Sequence, residues 1–369
     1  MRILYTITSS IIGGAQTNVL QLVEYFEKRG DEVRVMSFPG DNLEKELLKM
    51  GIKFYPNPFF CGYFDPIRNF KTAVLIRKAI EDFKPDIVHC HSTQAGFLTR
   101  LAAGNKVDVV FTAHGWAFAE GTPFFRKWPV MAAEKLAALF CKKIICVSEQ
   151  DRLLALKWRI APAEKLATVY NGTDIPEELP EKKYSYPLKV VFAARMAKQK
   201  DPFSFAKAVK LLDPDLKKKI SVLMIGEGPE STKFKKFVSD IGLEEEIKIE
   251  NSFSNKDLMD IFKESHIFVL TSHWEGLPIV ILEAMAHGMA IVASDVGGVA
   301  ETFGEDCGFL VKRKNVREIK DGLEKLIQDK AMAERMGAAG FRRAKKDFSV
   351  QRMLAETEKI YFNLKCSKE

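Results

Sequence analysis

Short apolar runs alternate with longer amphipathic stretches from the start of the chain. Arg2 to Thr8 and Glu32 to Phe38 read as buried strands, while Ala15 to Arg29 and Leu43 to Met50 carry the apolar spacing of helices. Strand, helix, strand, helix is the order of a parallel sheet, because parallel neighbours need a crossover and a helix supplies it. The alternation continues through Ile87 to His91, Val109 to Ala113 and Lys143 to Ser148, each ending in small or polar residues. Ligands of such sheets collect beyond the carboxyl ends of the strands, so those ends are where chemistry is expected.

From Asn171 to Pro187 the text becomes NGTDIPEELPEKKYSYP, with three prolines, many charges and almost no aliphatic residues. A domain boundary is expected there. Beyond it Leu188 to Ala194, Ile220 to Ile225, Ile247 to Glu250, His266 to Thr271 and Ala290 to Ala293 repeat the strand pattern with helices between them. Val350 to Leu364 is helical in pattern. The expected fold is α/β: two doubly wound, Rossmann-like parallel-sheet domains, residues 1–175 and 176–349, with an interdomain cleft walled by strand ends and helix N-termini. A large phosphorylated ligand suits such a cleft.

Composition agrees with two cores: 369 residues at 47% hydrophobic content exceed what one ordinary domain needs. Charged residues make up 28%, and no tract is of low complexity, which excludes disordered and fibrous classes. The opening MRILYTITSSIIGGAQ breaks its apolar run with Thr and Ser before a glycine pair, so it reads as a first strand and not as a secretion signal. No run approaches the roughly 20 apolar residues of a membrane span. Cys61, Cys90, Cys141, Cys146, Cys307 and Cys366 form no C-x-x-C pair, so reduced thiols in a cytoplasmic protein are expected. The net charge of +7 favours an anionic partner: a nucleotide diphosphate, an anionic membrane surface or nucleic acid. With no nucleic-acid motif or aromatic-rich basic stripe, nucleic acid is not expected.

The most informative segment is HWEGLPIVILEAMAHGMAIVASDVGG, His273 to Gly298. Glu275 and Gly276 read as a turn after a strand, Pro278 suits a first helical turn, and Ile279 to His287 reads as a helix stopped by Gly288. Glu275 precedes the helix and Glu283 lies inside it, so the two carboxylates are expected at different depths of one pocket. A Glu among Ile281, Leu282, Ala284 and Met285 is hard to read as a solvated charge. Three further signals stand at strand-to-helix junctions: Arg195 and Lys200 in AARMAKQKDP, Gly13-Gly14 after the first strand, and Gly226-Glu227-Gly228. On residue types alone, Arg195 and Lys200 could be two basic residues of a surface loop, and each glycine pair could be a plain tight turn. The absence of G-x-G-x-x-G disfavours a nicotinamide cofactor.

The Glu, seven residues, Glu spacing of Glu275 and Glu283 resembles the signature of the retaining glycosyltransferases of family 4, which have the GT-B fold, and the likeness extends along nearly the whole chain. The resemblance implies that residues 1–175 are the acceptor-side domain, that 176–349 bind a nucleotide-sugar donor, and that the C-terminal helix, 350–369, packs back on the first domain. It places Glu283 on the donor ribose and Glu275 toward the transferred sugar. Gly276, Leu277 and Pro278 fall at the sugar and phosphates, and Arg195 and Lys200 at the diphosphate. Gly14 and Gly226 fall on the glycine loops, and His114 in FTAHGW falls on the histidine that contacts the donor sugar. A fixed guanidinium fork and a flexible ammonium can neutralise the leaving phosphate, so no divalent metal and no other cofactor is expected.

The likeness further implies transfer with retention, from a donor that is a UDP-sugar by family frequency, to a glycan or polyprenyl-linked saccharide acceptor in bacterial surface-polysaccharide assembly. A nucleotide-sugar 2-epimerase of the same architecture is the alternative; a non-catalytic sugar-binding protein would leave Arg195 and Lys200 without a use. The aromatic, aliphatic and basic stretch Pro123 to Lys143 reads equally as an internal helix or as a peripheral contact with the inner face of an anionic membrane. Loops at Asn251 to Asn255 and Phe59 to Phe64 are expected near the base and the acceptor. His89 and His91 share a strand face without a third ligand, and Asp213-Pro214-Asp215 reads as a charged surface turn, so neither is expected to hold a metal.

Overall fold

The computed structural model describes residues 1–9, 13–40, 42–60, 65–119, 124–251 and 254–366, with 124–126 as helix backbone only. It divides into two compact units, residues 1–171 with 351–369, and residues 172–350. The division falls a few residues ahead of the 175/176 boundary drawn from the sequence.

The first unit is a seven-stranded parallel sheet. Its strands are β1 (Arg2–Thr6), β2 (Glu32–Ser37), β3 (Lys53–Pro56), β4 (Ile87–His91), β5 (Asp108–Ala113), β6 (Lys143–Cys146) and β7 (Leu166–Thr168), in the spatial order β3-β2-β1-β4-β5-β6-β7. Every residue of β4 and β5 is buried, the mark of a parallel sheet covered on both faces. Strands β3 and β7 escaped the sequence reading. Both are edge strands of three or four residues, too short for a periodic signal, and β3 is flanked by Lys53 and Pro56, residue types suited to an edge.

The C-terminal helix Val350–Cys366 packs on this unit. Tyr361 stacks on Phe26 at 5.0 Å between ring centroids, Tyr25 donates to Glu358 at 2.6 Å, and Asn18 donates to the Met353 sulfur.

The second unit is a six-stranded parallel sheet. Strands β8 (Leu188–Ala193), β9 (Ile220–Ile225), β10 (Ile247–Glu250), β11 (Ile267–Leu270), β12 (Ala290–Ser294) and β13 (Gly308–Val311) lie in the order β10-β9-β8-β11-β12-β13. Strand β13 was not expected; it begins at Gly308, where a Cβ would stand 2.0 Å from the Ile291 carbonyl oxygen, so the close pairing with β12 requires glycine. Strand order reverses between β8 and β11, which are neighbours although β9 and β10 intervene in sequence. Such a switch point leaves room for a ligand at the carboxyl ends of the two strands. The loops carrying Arg195 and Glu275 leave from those two ends.

Candidate active site

The loops after β8 and β11 are stitched together by hydrogen bonds from side chains and backbone to each other's carbonyl oxygens. Thr271 Oγ1 donates to the carbonyl oxygens of Asp201 (2.7 Å) and Lys200 (3.3 Å). The His273 N–H donates to Gln199 O at 2.7 Å, and the Gln199 side-chain amide donates to Trp274 O at 2.9 Å. Asp201 then caps the helix Pro202–Lys210, accepting from the Ser204 N–H at 3.3 Å and its hydroxyl at 2.5 Å. This stitching brings the Lys200 ammonium to 2.5 Å from Glu275 Oε1, and Ser272 Oγ donates to the same oxygen at 2.5 Å. The side chains are 19% and 7% exposed, so the pair is mostly withdrawn from water.

The DVGG end of the motif supports this turn from the other side. Gly298 N–H donates to Gly276 O at 2.8 Å. Gly297 has φ +53°, and a Cβ there would fall 1.8 Å from the Glu275 carbonyl oxygen. Gly276 and Leu277 are buried within the turn.

Pro278 is the N-cap of the helix Ile279–Ala286, one place before the expected first turn, and Gly288 ends the helix in the left-handed region at φ +67°. Every residue of this helix except Val280 is buried, as a helix apolar on all sides demands. Glu283 is therefore carried into the interior with 9% of its surface exposed. Burial, reinforced by the negative charge of Asp174, pushes its carboxyl up to about 7. A carboxyl poised near neutrality ionises when donors approach it, and a pair of vicinal hydroxyls supplies two.

Arg195, just beyond β8, is exposed and has no side-chain partner among the described residues, in contrast to Lys200. Its loop rests on Gly226 and Gly228: Cβ atoms at these positions would meet Ala194 O at 2.0 Å and Met196 O at 2.3 Å. Gly226 also has φ +142°, so glycine is required twice over. Beside this contact opens a cavity of about 290 Å³, lined by Met196, Gly226, Gly228, Phe234, Ile249 and Asn251 among others. Of the loop expected near the base, Asn251 lines the cavity, while Ser252 and Phe253 lie outside the described residues.

In the first unit, His114 follows β5 and is partly exposed; the next residue, Gly115, takes φ +106° and turns the chain away. His114 Nε2 lies 3.0 Å from His91 Nδ1. His89 is bonded at both ring nitrogens, Nδ1 to the Tyr361 hydroxyl and Nε2 to Thr112 at 2.7 Å, so it has no nitrogen left for a metal. Gly13 is extended, with φ −164°, and Gly14 opens the helix Gly14–Lys28. No turn geometry demands glycine at Gly13, which leaves room for close approach as its use. Residues 61–64 of the segment expected near the acceptor lie outside the described residues. Asp213 precedes the short helix Pro214–Lys217, and Asp215 pairs at the surface with Lys218.

Comparison with known proteins supplies the deciding observation: Glycosyltransferase Family 4 matches residues 12–177 and Glycosyl transferases group 1 matches residues 176–343. The chain belongs to the family-4 glycosyltransferases. It is similar to the UDP-Gal:alpha-D-GlcNAc-diphosphoundecaprenol alpha-1,3-galactosyltransferase of Escherichia coli, 26% identical over 347 residues that cover 87% of each protein. It is similar also to the putative glycosyltransferase EpsD of Bacillus subtilis, 26% identical across 93% of this chain and 92% of that one. Among solved structures, Anabaena HepE in complex with UDP-glucose superposes with a TM-score of 0.82 at 17% identity, covering 98% of this chain and 100% of the other. Sucrose-phosphate synthase from Thermosynechococcus elongatus gives 0.83 at 17% identity, with full coverage of both chains. The glycosyltransferase thus has the GT-B fold, two Rossmann-like α/β domains.

Several residues that build the candidate site of this glycosyltransferase were not singled out from its sequence. Ser272, Thr271 and Gln199 hold Glu275 and its loop, yet they are ordinary polar residues at a strand end and have no spacing signature. Gly297 and Gly298 stood inside the motif, and the glycine pair itself was the available signal. Among the described residues no helix is long and apolar enough to cross a membrane.

Proposed function

We propose that the enzyme transfers a sugar from a UDP-sugar to a hydroxyl of a glycan or lipid-linked saccharide, with retention of the anomeric configuration and without a divalent metal. The observation that carries this reading is the arrangement at the β8/β11 switch, with the Lys200–Glu275 pair, the free Arg195 on the same loop as Lys200, and Glu283 on the buried helix that follows Glu275. Arg195 and Lys200 supply positive charge where the diphosphate gains negative charge as the anomeric C–O bond breaks. The Glu283 carboxylate accepts from the two ribose hydroxyls, and Glu275 faces the sugar. The acceptor oxygen bonds to the anomeric carbon on the face the phosphate leaves, and its proton passes to the departing phosphate oxygen. Neither glutamate serves as nucleophile; Glu275 is already committed to Lys200 and Ser272.

The uridine donor and the lipid-linked acceptor are supported by the E. coli galactosyltransferase, whose name carries both, and the donor also by the UDP-glucose bound to HepE. Exposed Trp128, Leu136 and Leu139, with Lys135 and Lys142 nearby in the chain, offer the first unit a face suited to the anionic membrane in which such an acceptor resides. The test is mass-spectrometric screening of the purified enzyme with UDP- and GDP-sugars in EDTA, with and without a lipid-diphosphate sugar acceptor, alongside Glu283→Ala and Arg195→Ala. Acceptor-dependent release of UDP that both substitutions abolish is the expected result. Donor isomerisation without acceptor would replace this reading with an epimerase, and turnover only after added Mg²⁺ would remove the metal-independent mechanism.

A further inference from the structure

The contact between His91 and His114 contains information about where a proton sits. The rings are within 26° of parallel, and His91 Nδ1 faces His114 Nε2 at 3.0 Å. Desolvation keeps both rings neutral at physiological pH, moving the partly exposed His114 down to about 4 and the fully buried His91 well below its usual range. A neutral imidazole carries one N–H and one bare nitrogen, so one hydrogen lies between the two rings and either could own it.

The far edge of His91 decides the matter. His91 Nε2 is buried and has no hydrogen-bond partner among the described residues. Were His114 the donor, His91 would have to carry its proton on Nε2, a buried N–H with no acceptor among the described residues, which is the rarer orphan in folded proteins. With His91 donating from Nδ1, only a lone pair is left bare, and His114 accepts at Nε2. Its own proton must then sit on Nδ1, since the hydrogen bond at one ring nitrogen sets the state of the other.

We propose that His91 is a positioning residue that holds His114 as the Nδ1–H tautomer, so that His114 presents a hydrogen-bond donor to an oxygen of the bound sugar. This rests on the role that the family resemblance implies for His114, contact with the donor sugar. The arrangement is braced from behind: His89 lies 4.2 Å from His91 between ring centroids and is itself pinned by Tyr361 and Thr112. The pair of histidines that the sequence offered as a weak metal motif is thus a relay of orientation from the C-terminal helix to His114.

The test is two-bond proton–nitrogen correlation spectroscopy of the full chain labelled with ¹⁵N-histidine, in which protonated and bare ring nitrogens are resolved. The wild-type spectrum is expected to show His114 protonated at Nδ1; protonation at Nε2 overturns the proposal without any variant. In His91→Leu the donor is gone, and His114 is expected to populate both tautomers while kcat falls roughly tenfold with little change in donor KM. His91→Asn places an amide N–H where Nδ1–H stood and is expected to restore both the tautomer and most of the turnover. An unchanged His114 tautomer in His91→Leu also overturns the proposal. Full transfer activity in His114→Leu would remove His114 from the sugar, and with it the ligand-facing half of the proposal, whatever the spectra show of the tautomer.

Discussion

The Lys200 ammonium and the Glu275 carboxylate, 75 residues apart in sequence, stand 2.5 Å apart at the carboxyl ends of adjacent strands. Lys200 is thus held on a short tether, and under the proposed function a diphosphate arriving there meets a cation whose position is already set. Lys200→Ala is expected to lower kcat/KM by roughly 100-fold, the scale for losing one preorganised charge partner of a transition state. Lys200→Arg should recover little of it, because a planar fork cannot replace a compact ammonium beside both Glu275 and Ser272. Steady-state kinetics with varied donor checks both, and near-wild-type kcat/KM in Lys200→Ala would remove Lys200 from the chemistry.

Glu283 makes stability depend on pH in a definite direction. Its folded carboxyl titrates at about 7 against 4.5 for the ordinary group. Because the folded value is raised, the associated stability is fully present below about pH 4.5 and is lost as pH rises through about 7, amounting to about 3 kcal/mol. Glu283→Gln removes this dependence, so the variant should gain on wild type between pH 5 and pH 8 while losing donor binding. Urea unfolding at the two pH values tests the first expectation and UDP titration the second. Parallel pH profiles for the two proteins would mean that Glu283 is solvated.

Gly297→Ala is expected to disable the site through the backbone. The new methyl would overlap the Glu275 carbonyl oxygen in a left-handed segment, so the turn that carries Glu275 must move. A loss of about 2 kcal/mol or more in stability is expected, together with loss of transfer. Gly322→Ala is the control: its methyl would meet Phe309 at an ordinary 3.4 Å inside the helix Val316–Gln328, so the melting temperature should hold or rise. A Gly297→Ala enzyme with wild-type melting and turnover would show that the turn accommodates a side chain.

Tyr361→Phe tests the anchoring of the C-terminal helix. The hydroxyl reaches His89 Nδ1 and lies 3.2 Å from the Tyr5 hydroxyl in a fully buried setting. Removing it leaves His89 with an unpaired nitrogen, at an expected cost of about 1–3 kcal/mol. Denaturation followed by circular dichroism measures it, and an unaltered urea midpoint would show that water or a rearranged ring replaces the hydroxyl.

Much of this protein is legible along one dimension. The alternation of apolar runs with amphipathic stretches depends only on residues within a turn or two of one another, so the strands at Arg2–Thr6, Ile87–His91, Leu188–Ala193 and Ile267–Leu270 could be read without knowing what packs on them. The spacing from Glu275 to Glu283 and the glycine that ends the helix carrying Glu283 are local in the same sense. What the sequence alone determined is therefore two parallel α/β units and the strand-to-helix loops that form the candidate site. Short edge strands such as Lys53–Pro56 were invisible because four residues carry no period. The tertiary structure alone decided that β8 lies beside β11, and with it that Lys200 is paired to Glu275 while Arg195 stays free. It alone decided that Glu283 hovers near neutrality and that His91 faces His114, because desolvation and hydrogen-bond partnership belong to what surrounds a group in space, and the neighbours in question come from distant parts of the chain.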